Sequence, residues 1–214
     1  WALRSVLADS GIAVLGATRS TTDSLQNLAA RQGTALAEVS SRPLKDWIFP
    51  VLNTSQNWYA EMLLKQLGRQ FGGAGSWKAG LEVERRFLID SMKVDSTQFA
   101  LRDGSGLSSS NLVSPKSFAT LLTWMRAHPR FESFAAGLPQ SGQRGSLKSR
   151  FVGTPLEGKV RAKTGSISRV NTLAGYIELP GRTLTFAIEA NNHTLGSRVM
   201  IPQIDSLVVQ MGKK

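Results

Sequence analysis

A chain of 214 residues with 41% hydrophobic content and 19% charged residues can bury a sizeable core, which predicts one folded domain and excludes extended disorder. The net charge of +11, from 26 Lys+Arg against 15 Asp+Glu, favours anionic partners such as nucleic acid, acidic lipid headgroups or cell-wall polymers, or is a solvated basic surface with no dedicated partner. Zero cysteines exclude disulfides and thiolate metal sites, His128 and His193 cannot form a zinc site unaided, and no run of about 18 apolar residues exists to span a membrane as a helix.

The chain opens Trp1-Ala-Leu-Arg4, with neither an initiator methionine nor a basic-then-apolar leader, so we expect a piece of something longer. Apolar Trp1, Leu3, Val6 and Leu7 predict a helix tail over 1–10, followed by a short apolar strand over Ile12–Leu15. A loop is expected from Gly16 to about Thr34, then a strand where Ala35–Ser40 alternates, then a short helix opened by Ser41-Arg-Pro-Leu44 and stopped by Pro50. Tyr59, Met62, Leu63 and Leu67 recur at helical spacing and predict an amphipathic helix ending at Gly68 or soon after, with a second helix over 76–89.

Gly104–Asn111 is rich in glycine and serine and reads as a loop. Ser114-Pro115 supplies an N-cap and a first-turn proline for a helix that buries Phe118, Leu121, Leu122 and Met125 and stops at His128-Pro129. Glycines and a proline make 137–149 mostly loop. The remainder turns to strand: an extended segment over Lys159–Lys163, a strand over Thr172–Leu179, a Pro180-Gly181 turn, and Thr183–Ala190 with Leu184, Phe186 and Ile188 inward. A last helix from about Pro202 buries Ile204, Leu207, Val208 and Met211. Antiparallel strands backed by helices, with no strand–helix–strand rhythm, make this an α/β fold built as a sandwich.

Two short patterns carry chemistry. Lys163-Thr164-Gly165 stands at a predicted strand end, and Ser55-Gln56-Asn57 opens the helix of the Tyr59 stripe. A phosphate loop is excluded, because that motif needs glycine where Ala162 and Glu157 stand. K-T-G and S-x-N are two of the three elements of penicillin-recognising serine enzymes, the third being S-x-x-K. K-T-G arises by chance in only a few per cent of chains this long, roughly 200 windows against 8000 tripeptides. S-x-N is common and occurs again at Ser109–Asn111, and Ser55 by itself is more readily an ordinary N-cap. Alone, K-T-G is equally a turn.

Four segments in order change this balance: SSRPLKDWIFPVLNTSQNWYAEMLLKQLG, RDGSGLSSSNLVSP, GLPQSGQRGSLKSRF and VRAKTGSISRVNTLAGYIELPGR. Together they resemble the D-alanyl-D-alanine carboxypeptidase/endopeptidase family of low-molecular-mass penicillin-binding proteins (peptidase family S13), collinearly from about Trp1 to Asn192. Asn53, Ser55, Asn57, Ala60 and Glu61, with Asp103-Gly-Ser-Gly-Leu-Ser108, resemble that family specifically. One departure stands out: no serine in the chain has a lysine three residues on. The resemblance therefore implies a C-terminal portion, 1–214, of a catalytic domain whose upstream part carries an export signal and then the nucleophile and its lysine; a non-catalytic binding remnant is the alternative, and a basic nucleic-acid-binding domain a third reading.

What the resemblance implies for each residue is specific. Ser55 relays a proton toward the leaving amine, and Asn57 hydrogen-bonds a substrate amide and the catalytic lysine. Lys163 supplies positive charge, while Thr164 and Ser166 offer hydroxyls to a terminal carboxylate, serine standing where the family commonly has threonine. Gly165 lets substrate backbone approach the strand edge. Asp103 and Ser105 belong to a loop that is either a tight turn or a wall of the cleft, and Glu61 reads as a helix-surface or structural carboxylate. The implied ligands are peptidoglycan stem peptides and β-lactams, without cofactor, metal or nucleic acid, at the periplasm or cell-envelope exterior, with contact to anionic wall or membrane surface.

Overall fold

The computed structural model describes residues 2–35 and 37–213. Where length suggested one domain, these residues form two compact units, one ending at Ser41 and one beginning at Arg42. The first holds helices α1 (Ala2–Asp9) and α2 (Ser24–Gln32), and none of its described residues is buried. Helix α1 matches the expected helix tail, of which Trp1 lies outside the described residues. The strand expected over Ile12–Leu15 does not form, because the Arg4 guanidinium takes the carbonyls of Val14 (3.0 Å) and Gly16 (2.8 Å) that a ladder would need. Helix α2 lies inside the expected loop, started by Asp23, whose carboxylate accepts from the N–H groups of Leu25 and Gln26. The strand expected over Ala35–Ser40 is absent from its described residues; Leu36 lies outside them.

The second unit begins with α3 (Leu44–Asn53), α4 (Asn57–Phe71) and α5 (Trp77–Arg86), the last running on into a π-helical turn over Phe87–Ser91. Pro50 does not stop α3; the helix passes through it, and the Pro50 carbonyl accepts from the Gln56 N–H and the Thr54 hydroxyl. Helix α4 ends at Phe71, soon after Gly68 as the sequence suggested, and Gly68 itself lies within it. A side chain there would meet Gly80 N at 2.6 Å, so this glycine serves the close crossing of α4 and α5 rather than a helix end. A two-stranded ribbon, β1 (Phe99–Ala100) with β2 (Leu112–Val113), leads into α6 (Pro115–Arg126), capped by the Ser114 hydroxyl as its sequence predicts. Helix α7 (Phe131–Gly137) follows, in a segment whose periodicity was too short to predict it.

The chain then forms β3 (Val160–Ile167), β4 (Val170–Leu179) and β5 (Arg182–Asn191), an antiparallel sheet in the order β3-β4-β5. Helix α8 (Ser197–Met211) starts five residues before Pro202, the predicted start; Met200 and Ile204 pack on the sheet core on either side of that proline and hold the turn despite its missing donor. One core joins Leu147, Phe151, Leu156, Val160, Ala162, Leu173, Ile177 and Phe186 to Ile204 and Val208 of α8. Leu184, Ile188 and Met211 pack at its margin, whereas Leu207 is 49% exposed and does not join the buried set. On the opposite face Tyr176 packs with Leu122, Phe131, Ala135 and Leu138, and its hydroxyl donates to Leu122 O at 2.8 Å. The sheet is thus covered on both faces, by α8 and by α6–α7, as an α/β sandwich.

Candidate functional site

Strand β3 lies at the edge of the sheet. Its first residues are covered: Ser141 N–H bonds Val160 O and Ala162 N–H bonds Pro139 O. Past Ala162 the outward backbone positions are Thr164 and Ser166, and among the described residues neither donates its N–H to another backbone carbonyl on that side. The strand runs on to Ile167, so Lys163-Thr164-Gly165 lies within it and not at its end as the sequence suggested. A two-residue turn, Ser168-Arg169, returns the chain, with Ile167 facing Val170 and Ser166 facing Asn171.

Lys163 reaches the edge from this strand. Its ammonium donates to Thr164 O at 2.7 Å and to Ser55 Oγ at 2.9 Å, across 108 residues of sequence. Burial lowers the Lys163 pKa from the ordinary lysine value, since the charged form loses hydration. Ser55 is not the N-cap of α4; Gln56 holds that place without a side-chain cap bond. Ser55 sits at the corner between α3 and α4 with φ 58°, a left-handed conformation that L-residues adopt at a cost, and this corner aims its hydroxyl at Lys163.

Asn57 is the first residue of α4 and is exposed. It lines an open hollow of about 480 Å³ together with Trp58, Trp77, Arg102, Asp103 and Ser105. Asp103 turns its carboxylate on its own loop, accepting from Gly106 N (2.8 Å), Ser108 N (2.6 Å) and Asn111 Nδ2 (2.8 Å). Glu61 ties that loop to α4: Oε1 accepts from Ser105 N at 2.9 Å, and Oε2 from Trp77 Nε1 at 2.7 Å and Gly104 N at 3.2 Å. Burial alone would raise the Glu61 pKa, but hydrogen bonds from Ser105, Trp77 and Gly104 outweigh it and hold the carboxyl below its ordinary value. Glu61 is therefore a structural carboxylate that fixes the loop beside Asn57.

Thr164 donates to Ser146 Oγ at 2.7 Å, and Ser166 accepts from Asn171 Nδ2 at 2.9 Å. Gly165 is explained within the sheet, because a side chain there would collide with the Thr172 hydroxyl on β4. Ser146 and Asn171 were not singled out in the sequence. Ser146 stands in the GLPQSGQRGSLKSRF segment, and Asn171 is a polar residue at an inward strand position, the one local signal that marks it.

The arrangement presents a partly desolvated cation, the hydroxyls of Ser55, Thr164 and Ser166 and an unpaired strand edge, groups chemically suited to an anionic, extended peptide end. Comparison with known proteins gives the family of the chain. The model of the D-Ala-D-Ala carboxypeptidase 3 (S13) family matches residues 2–211. The D-alanyl-D-alanine carboxypeptidase of Actinomadura sp. (strain R39) is 38% identical over 164 residues, 74% of this chain and 30% of that protein. A penicillin-sensitive carboxypeptidase A of Dictyostelium discoideum is 33% identical over 189 residues, 82% of this chain and 35% of that protein. The crystal structure of penicillin binding protein 4 from Haemophilus influenzae, complexed with a β-lactam, superposes with a TM-score of 0.81 at 25% identity, covering 98% of this chain and 49% of that one. The chain spans about a third of the length of the curated relatives it matches.

Proposed function

This chain belongs to the D-Ala-D-Ala carboxypeptidase 3 (S13) family, and on that premise we propose that it is the C-terminal portion of the catalytic domain of a serine-type D-Ala-D-Ala carboxypeptidase, with endopeptidase action within its reach. Its substrates are peptidoglycan stem peptides, and penicillins are the β-lactam equivalents. The observation that carries this reading is the Lys163 ammonium shared between Ser55 Oγ and Thr164 O at the open edge of β3. Such a cation at a strand edge suits a substrate that ends in a carboxylate and approaches in extended form.

No serine of the chain is followed by a lysine at the third position, so the nucleophile and its base come from a segment outside these 214 residues. The incoming serine oxygen forms an ester with the penultimate D-alanine carbonyl, and the C–N bond breaks. The departing amine of the terminal D-alanine takes a proton through Ser55, whose hydroxyl both donates and accepts. Water then hydrolyses the ester. Asn57 holds the substrate amide, Ser166 donates to the terminal carboxylate, as does Thr164 once its hydroxyl turns from Ser146 Oγ, and Lys163 offsets its charge, each charge-assisted bond contributing about 1.5–3 kcal/mol. Asp103 and Ser105 shape the hollow beside Asn57 in which the rest of the stem lies. The basic surface faces anionic wall polymers outside the cytoplasmic membrane.

Labelling with a fluorescent penicillin tests this. The 214-residue chain alone stays dark, and the longer polypeptide that contains it forms a covalent adduct blocked by unlabelled penicillin. A longer polypeptide that binds stem peptide without labelling overturns the enzyme in favour of a binding remnant, and salt-sensitive DNA binding at micromolar concentration would favour a nucleic-acid-binding domain.

A further inference from the structure

We propose that Asn171 is a positioning residue that sets the polarity of the Ser166 hydroxyl, fixing it as a donor toward the substrate carboxylate; this rests on the receptor reading above. Asn171 is 1% exposed, on β4 directly opposite Ser166. Its Nδ2 donates to Ser166 Oγ at 2.9 Å and to Ser197 Oγ, at the first residue of α8, at 3.1 Å. An amide NH2 has two hydrogens and no acceptor, so both of its donors are engaged and neither serine can return a proton to it. The Ser166 oxygen accepts from inside the sheet. Its own hydrogen is left to turn to the exposed side, on the strand face that Ser166 shares with Thr164.

The Asn171 carbonyl does not take that hydrogen. Oδ1 is buried and has no hydrogen-bond partner, an arrangement that folded proteins largely avoid. A residue retained for packing alone would be better replaced by leucine, which leaves nothing unsatisfied. An acceptor such as aspartate at this position would draw the Ser166 hydrogen inward and present a lone pair to the incoming carboxylate. Asparagine with its donors on the serines does the reverse. The two-residue Ser168-Arg169 turn keeps Ser166 and Asn171 in register, so the hydroxyl cannot drift from the amide.

The test compares acylation of the full-length protein by a penicillin free acid and by its methyl ester, which lacks the anion that Ser166 would bind. Asn171→Leu is expected to slow acylation by the acid about 10- to 50-fold and by the ester less than threefold. Asn171→Asp, of the same shape, slows the acid at least as much, and covers the case in which the leucine variant fails to fold. Ser197→Ala removes the other bond of the amide and leaves the acid-to-ester ratio unchanged. In a Ser166→Ala background, Asn171→Leu has no further effect on that ratio. Equal loss for acid and ester, or an unchanged acid rate in a folded variant, overturns the role of Asn171 alone. A wild-type protein that forms no adduct overturns the enzyme reading and the inference with it.

Discussion

Behind Lys163 the molecule is sealed: Val160, Ala162, Leu173 and Ile177 are 0% exposed beneath α8. Behind Ser55, α4 looks instead onto an open apolar hollow of about 600 Å³, walled by residues such as Leu63, Leu67, Phe71, Val83 and Phe87. Phe71 is 66% exposed and Leu67 39%. The difference follows from what each side must do. A receptor for charge needs its groups held at fixed separations, and a sheet packed on both faces supplies that rigidity. The α4 side joins the site through the Ser55 corner and its first turn, Asn57 and Glu61, and its apolar face is only partly covered.

The comparison can be broken most sharply by paired truncations. Leu173→Ala should destabilise the chain by about 2–5 kcal/mol through lost burial and the cavity left behind. Leu67→Ala, on the open side, should cost below about 1 kcal/mol. Equal losses in urea unfolding would mean that the two sides are packed alike.

Charge removal at the sealed side comes next. Lys163→Ala in the full-length protein should slow β-lactam acylation roughly 100-fold, the loss of about two charge-assisted hydrogen bonds at the low end of their range. Unchanged acylation would detach Lys163 from the site. In the wild type, carboxylate-dependent acylation should fall as pH rises through the Lys163 pKa, which burial places below the ordinary lysine value of 10.5. Stability runs the opposite way: the cost of burying the ammonium is full below the lowered pKa and disappears above 10.5, so the fold gains stability as pH rises.

On the open side the titrating group is Glu84, in the wall of the apolar hollow. Burial, with a smaller contribution from the Asp103 charge, raises its pKa from 4.5 to about 7. The folded state therefore binds a proton more readily than the unfolded one, and stability is lost as pH rises from 4.5 through about 7. Glu84→Gln should recover on the order of 2–3 kcal/mol at pH 8 and little at pH 4, measured by thermal or urea unfolding. A pH-independent effect would remove Glu84 from the hollow's electrostatics.

The smallest expected effect is at the loop. Glu61→Gln should cost about 1 kcal/mol and speed amide hydrogen exchange at Ser105, because the carboxylate that accepts from Gly104 and Ser105 becomes a weaker neutral acceptor. Unchanged exchange would mean the loop holds itself through Asp103.

Legibility of the fold followed the strength of local signals. The α4 stripe, the Ser114-Pro115 start of α6 and the Pro180-Gly181 hairpin were readable because each has its own periodicity or turn chemistry. Elements without such a signal were missed: α7 is only seven residues long, and α2 hangs on the Asp23 cap. Proline misled twice, since both Pro50 and Pro202 lie inside helices that the surrounding packing carries past the lost donor. At the site, Lys163, Thr164, Ser166, Ser55 and Asn57 were visible as short motifs. Ser146 and Asn171 were not singled out, because a serine in a loop and an asparagine at an inward strand position acquire their roles only from what stands opposite them.

By itself the sequence determined the chemical vocabulary of this protein, its family and the strands and helices with strong patterns, since these depend on residue type and on spacings of a few positions. The tertiary structure alone decided that Lys163 meets Ser55 across 108 residues, that the motif lies inside an edge strand, and that Asn171 grips Ser166. Such contacts depend on which faces the core brings together. That is a property of packing over the whole chain, and no local pattern encodes it.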